Sequence, residues 1–241
     1  MSMLFGTFVN AGAVILGCLA GMLLPRIPER IRDTIMQGLG LVILFLGISM
    51  GIKTGNFIFV IVSLAAGGAV GEVLRMDMRL QRAGERLQDA VKKMVPGNKS
   101  TIAEGFVTAT LLFCVGAMAV LGAIDSGLRG DHTILYTKSM LDGISAMLLT
   151  TMLGFGVIFS AGALLLYQGA IALSARLITS FLSAAELEAV VTEVSAVGGI
   201  LIAGIGISML QIKKINVVNL LPSIFIIAGL VLVSKKFYIG L

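Results

Sequence analysis

The chain has 241 residues, 57% of them apolar and only 13% charged, with no Trp, a formal net charge of +5 and a mean hydropathy of +1.03. That balance excludes an ordinary soluble domain and predicts an all-α, polytopic transmembrane bundle. The two cysteines, Cys18 and Cys114, fall inside apolar runs and suggest neither a disulfide framework nor a metal cluster.

A helix needs about 20 mainly apolar residues to cross a hydrocarbon core about 30 Å thick. The first such window is 4–24, which holds Asn10 and the stretch ILGC at Ile15–Cys18. ILGC has the form of a lipoprotein cleavage site, yet no Lys or Arg precedes the apolar run, so the segment reads as a retained span. Windows at 36–52 and 56–74 follow, the latter closing on Glu72, read as an interface residue paired with nearby arginines or, alternatively, as a gating residue. Arg26, Arg30 and Arg32 come after the first span, and Arg75, Arg79, Arg82, Arg86, Lys92, Lys93 and Lys99 after the third, so parity puts both clusters on one side. The positive-inside rule makes that side cytoplasmic and the N-terminus external. Within 76–99, Leu80, Ala83, Leu87, Val91 and Met94 recur at helical spacing opposite the basic residues, before Pro96 and Gly97. This predicts an amphipathic helix lying on anionic lipid at the cytoplasmic surface. No aromatic residue is available there to stack on bases, which argues against nucleic acid.

A fourth window covers 104–124, and a short outer loop then carries Asp125, Arg129, Asp131 and the sole histidine, His132, read as a solvated pair with Asp131. Ser139 and Asp142 have the S-x-x-D form of a capping box, which would set Asp142 at a helix start near the outer interface. The other reading has Asp142 facing a cavity as a cation or proton site, where a buried charge costs about 2.5–3.5 kcal/mol and calls for a reason. Between Asp142 and Arg176 no residue is charged, a stretch that as one helix would reach about 50 Å. Gly154, Gly156, Ser160 and Gly162 interrupt it. Two helices are therefore predicted, 139–156 and 158–177, meeting at a break whose freed backbone groups only ligand, water or protein can satisfy. Asn10 and Gln168 either hydrogen-bond a solute in mid-membrane or staple helices together. With Asp125, Asp142, Ser145 and Thr150 they make the candidate substrate pathway. Windows at 190–210 and 216–233 complete seven or eight spans; charge does not settle the side of the C-terminus.

GLVILFLGISM at Gly40–Met50 returns as GILIAGIGISM at Gly199–Met209, and FVNAGAVILG from Phe8 echoes FSAGALLLYQG from Phe159. The order of helices at the two ends is thus alike. Residues 1–75 and 157–241 read as two three-helix repeats flanking the surface helix, 76–99, and a central helix pair, 100–156. If 139–177 supplies two crossings, the repeats are inverted, the plan on which many transporters are built. The competing reading is small-residue spacing of the kind that recurs wherever membrane helices pack closely, as at Gly17/Gly21 and Gly67/Gly71.

CVGAMAVLGAIDSGLRGD, KSMLDG, GFGVIFSAG, YQG, GGILIAGIGISML and VNLLP together resemble the YqgA/YdfK family of bacterial inner-membrane proteins, a family named only as a domain of unknown function. The resemblance covers almost the whole chain and implies a multi-pass protein of the bacterial cytoplasmic membrane with about seven spans. It supplies no activity. One departure is Ser208, where the family often carries Asn, which puts a coordinating role for that side chain in doubt.

No HExxH, P-loop, GxSxG or metal-spaced cysteine pair is present, so neither a cofactor, a metal, an enzyme centre nor ATP-driven transport is expected. The leading expectation is a secondary transporter or channel for a small solute or ion. Its rival is a non-transporting membrane subunit that binds lipid or a partner, its small-residue faces serving homo-oligomerisation.

Overall fold

The computed structural model describes residues 3–23, 29–82 and 99–236, and all the regular structure among them is helical. The elements are α1 (Phe5–Leu23), α2 (Glu29–Gly51), α3 (Phe57–Val73), α4 (Lys99–Cys114), α5 (Ala117–Arg129), α6 (Thr133–Leu153), a 3-10 turn (Gly154–Phe159), α7 (Ser160–Phe181), α8 (Ala184–Met209), the one-turn α9 (Val217–Leu220) and α10 (Pro222–Lys236). By length and composition four helical stretches can cross a membrane: Phe5–Leu23, Thr133–Phe181, Ala184–Met209 and Val217–Ser234. Two bent pairs, α3 with the short run Met76–Arg82 (54°) and α4 with α5 (60°), raise the number to six. Large apolar side chains point outward, Leu166 at 77% and Phe181 at 78% exposure, whereas Asn10 and Gln168 are at 0%. Such an inside-out distribution suits helices bathed in hydrocarbon.

Local chemistry moves several boundaries away from the apolar windows. The predicted single span 104–124 is two helices, broken after Cys114. α6 starts at Thr133, six residues before Ser139, because the Asp131 carboxylate accepts from the Thr133 amide (3.0 Å) and hydroxyl (2.7 Å) and turns the chain into the helix. The capping box expected of Ser139 and Asp142 is therefore not formed: both lie inside α6, and the Ser139 hydroxyl donates back to the Leu135 carbonyl (2.6 Å). A true capping box, Ser183 with Glu186, starts α8 well ahead of its apolar run. Gly154 ends α6 in a left-handed conformation (φ +77°) that a side chain would resist.

The helices pack as two units. The first contains α1, α4, α5, α6, the 3-10 turn and α7; the second contains α2, α3, α8, α9 and α10. Packing thus cuts across the segments 1–75 and 157–241, since α1 and α7 belong to one unit and α2, α3, α8 and α10 to the other.

In the first unit α1 and α6 run in the same direction. Gly6 lies against Leu135, Gly17 against the Gly143 backbone and Gly21 against Met147, so both chains advance together. α6 leaves the N-terminal end of α1 and α7 returns to it, with Gly169 against Leu4. At the turn between them Gly156 packs on the Ile102 backbone of α4.

In the second unit α2 and α8 are antiparallel: Gly40 meets Leu210, Gly47 meets Ala203 and Gly51 meets Ile200. α3 runs antiparallel to the α9–α10 segment, Gly67 against Ser223 and Gly71 against Asn219, over a core of Val60, Val197 and Ile227. Glycine at these seams lets backbones approach to a distance that a Cβ would block.

Candidate functional site

The polar centre of the first unit is an ion pair that the sequence reading did not assemble. Lys138 and Asp142 are four apart on α6 and so share a face. The Lys138 ammonium reaches both carboxylate oxygens, at 2.9 and 2.8 Å, with side-chain exposures of 9% and 8%. From α1, Asn10 Nδ2 donates to Asp142 Oδ2 at 3.1 Å. The parallel α1–α6 seam brings these residues together, for its glycines draw the two backbones close enough for a short amide to span the gap. A buried ion costs several kcal/mol unless it is paired and hydrogen-bonded, and here each charge meets the other. α4 ends at Cys114 and α5 begins at Ala117, so the unit that holds the pair also holds an interrupted helix.

The remaining pathway candidates divide. Gln168 is fully buried on α7, with neither its Oε1 nor its Nε2 hydrogen-bonded within the protein, and the same holds for Thr7 Oγ1 and Asn10 Oδ1 on α1. Thr150 is buried on α6 against Gly21 of α1, and Ser145 is half-buried one turn beyond Asp142. Asp125 does not join them: it pairs with Arg129 within α5 at 3.9 Å. Nor do Gly154 and Gly156 open a cradle of bare backbone. The Gly154 amide donates to the Thr150 carbonyl, the chain continues as a 3-10 turn, and the Ser160 hydroxyl closes on the Val157 carbonyl at 2.6 Å.

His132 is a correction of a different kind. It is buried at 7% exposure, with Nδ1 and the Ser126 hydroxyl 2.8 Å apart, while that hydroxyl donates to the Met3 carbonyl at 2.7 Å. A serine has one proton to give, so the imidazole Nδ1–H is the donor to Ser126. Phe5 and Tyr136 flank the ring at 5.9 and 5.8 Å. The solvated partnership with Asp131 is thus replaced by a packed junction between the start of α1, the end of α5 and the start of α6.

In the second unit the sequence reading passed over Glu193. This α8 carboxylate is 6% exposed and accepts from the Thr54 hydroxyl (2.5 Å) and the Gly55 amide (2.7 Å), fastening the α2–α3 connection. At the other end of α3, Glu72 accepts from Asn219 Nδ2 (2.7 Å), Asn219 Oδ1 accepts from the Asp77 amide (2.9 Å) and Asn216 donates to Asp77 (3.0 Å). Ser208 caps locally: it donates to the Gly204 carbonyl (3.0 Å) and accepts from the Ile215 amide (3.0 Å). Cys18 and Cys114 are free and buried, and among the described residues no three His, Cys, Asp or Glu side chains gather as metal ligands. Of the basic residues assigned to the lipid surface, Arg75, Arg79 and Arg82 are exposed, while Arg86, Lys92 and Lys93, with most of the predicted surface helix, lie outside the described residues.

A family model described as "Protein of unknown function (DUF554)" matches residues 5–232. The chain is 35% identical over 239 residues to "Uncharacterized membrane protein YdfK" of Bacillus subtilis (strain 168), covering 97% of this chain and 98% of that protein. It is 33% identical over 227 residues to "Uncharacterized protein YqgA" of Escherichia coli (strain K12), covering 93% and 94% respectively. No solved structure matches.

Proposed function

The chain belongs to the DUF554 family, whose relatives suggest a membrane setting but no reaction, and from the geometry of its first unit we propose that it is a secondary transporter or channel for a small solute or ion. The observation that carries this reading is the Lys138–Asp142 pair tied to Asn10, buried in a unit that also holds a broken helix and whose outer faces are apolar. Ionisable groups at such depth are costly, and broken helices beside them are where transporters place their sites.

The architecture behind it is a pair of inverted repeats, α1–α2–α3 and α7–α8–α10, in eight crossings of the bacterial cytoplasmic membrane with the N-terminus outside. Reciprocal contacts support the repeat. Gly47 meets the Ala203 amide and the Gly199 carbonyl, and Gly206, its counterpart 159 positions on, meets the Leu44 amide and the Gly40 carbonyl. Moving either set by 159 produces the other, as a two-fold relation between antiparallel helices demands. Direction supports the count: α6 and α7 form a hairpin against α1, so Thr133–Phe181 counts twice, and α2 antiparallel to α8 needs an even number of crossings between them. Arg75, Arg79 and Arg82, continued by Arg86, Lys92 and Lys93, would then meet anionic lipid at the cytoplasmic face. On this reading the chain carries no catalytic centre.

The test is uptake into proteoliposomes over a panel of ions and small metabolites. Flux of at least one solute, abolished in a folded Asp142→Asn protein, is the expected result. No flux for any solute with folded wild-type protein present would overturn the proposal in favour of a subunit that binds lipid or a partner.

A further inference from the structure

The first unit buries polar atoms that have no partner in the protein. They include Thr7 Oγ1, Asn10 Oδ1 and both Oε1 and Nε2 of Gln168, in residues all at 0% exposure, and Asn10 joins them to the Lys138–Asp142 pair. Thr7 and Asn10 are three apart on α1 and so lie on one face. Gln168 directly precedes Gly169, which rests on Leu4, one turn from Thr7. Buried polar atoms are seldom left without a partner, and such atoms on two packed helices, one of which reaches a carboxylate through Asn10, point to a guest.

The chemistry of the cluster selects the guest. A hydroxyl, two amide carbonyls and a carboxylate are hard oxygen ligands of the kind alkali and alkaline-earth cations take. Only one carboxylate is present, and it is already neutralised by an ammonium group. A cation added to the intact pair would leave an excess charge in a medium of low dielectric, whereas a singly charged cation that took the ammonium's place would leave the charge at the carboxylate unchanged, the Lys138 stem carrying its ammonium away toward water. Lys138 has the flexible stem such a displacement requires.

We propose that the first unit binds a monovalent alkali-metal cation through Asp142, Asn10 Oδ1, Thr7 Oγ1 and Gln168 Oε1, in exchange for the Lys138 ammonium group. This rests on the transport reading and names its solute. Lys138 is then a built-in competitor: it fills the site when the ion is absent and withdraws when the ion arrives.

Equilibrium binding of radiolabelled sodium and rubidium to the purified full-length protein in micelles, competed by lithium, sodium, potassium and choline, tests the site. One alkali cation binds saturably and choline does not compete. Binding is lost in Asp142→Asn, weakened by about tenfold or more in Asn10→Ala, and tightened in Lys138→Gln, because the resident competitor is gone. Thr7→Val and Asn10→Ala give the same reading if Asp142→Asn does not fold, as judged by elution and helical content. Absence of saturable alkali binding by folded wild-type protein overturns the proposal, as does binding indifferent to Asn10→Ala and Lys138→Gln. Transport of a neutral solute unaffected by alkali cations would sink the ion site while leaving the transport reading intact.

Discussion

Lys138 and Asp142 each make the other tolerable. Removing one leaves a lone charge among apolar helices, so Lys138→Met or Asp142→Leu alone should cost about 3–5 kcal/mol of stability, while the double substitution should cost far less. Unfolding of the four proteins in micelles measures this, and equal losses for double and single variants would mean that the pair is not coupled. Asp131 offers a test by pH. The Thr133 amide, then its hydroxyl, hold the Asp131 carboxyl below its usual 3.8. Its folded value is depressed, so its contribution is complete above the unfolded value and is lost as pH falls through the folded one. Amide-exchange protection over Thr133–Tyr136, corrected for intrinsic rates, should therefore hold from neutral pH to about 4 and decline below it, and Asp131→Ala should remove the dependence. These residues also mark how far sequence reading reaches. The spacing of Lys138 and Asp142 is local and legible; that Asn10 completes the pair depends on which faces of α1 and α6 meet, which no local pattern encodes. Ser139 was misread as a cap because the S-x-x-D form is common, while the Asp131–Thr133 turn that starts the helix lies six residues upstream.

Helices α2 and α8 meet along glycines whose substitution should be felt in proportion to what each one touches. A Cβ at Gly47 would drive into the Ala203 amide, whereas Gly12 and Gly162 have no neighbouring atom within 4 Å of where a Cβ would stand. Gly47→Val and Gly206→Val should thus destabilise by about 1–3 kcal/mol or more. Gly12→Ala and Gly162→Ala should be neutral, or stabilising by up to about 1 kcal/mol, because alanine is the better helix former. Thermal melting in micelles separates the two groups, and equal effects would refute the close seam. Hydropathy located most of these helices but not their ends. The break after Cys114 is invisible to an apolar window because the residues on both sides are equally apolar. α8 begins early because a capping box, rather than hydrophobicity, sets its start. Glu193 was missed for a related reason: the third of three carboxylates in the first turns of a long apolar helix carries no local sign of burial until the α2–α3 connection folds back onto it.

For the molecule as a whole the repeated GISM segments were the most informative signal, because two similar helices that pack against each other constrain the chain between them. Antiparallel α2 and α8 require an even number of crossings in the interval. On the proposed topology, parallel α1 and α6 require an odd number of crossings between them, so if α2 and α3 both cross, the bent α4–α5 pair would cross as well. In that proposed arrangement the hairpin of α6 and α7 would add two more, making α8 the seventh crossing and α10 the eighth. If, as proposed, the basic clusters after the first and third spans hold the N-terminus outside, eight crossings would bring the C-terminus to the same side. An alkaline phosphatase reporter fused after Leu241 should be active and a green fluorescent reporter there should be dark, while both patterns should reverse for fusions within 76–99. A fluorescent C-terminal fusion would leave an odd number of crossings. α2 and α8 could then be antiparallel only if α10 failed to cross, and the three-helix repeat would lose its third member.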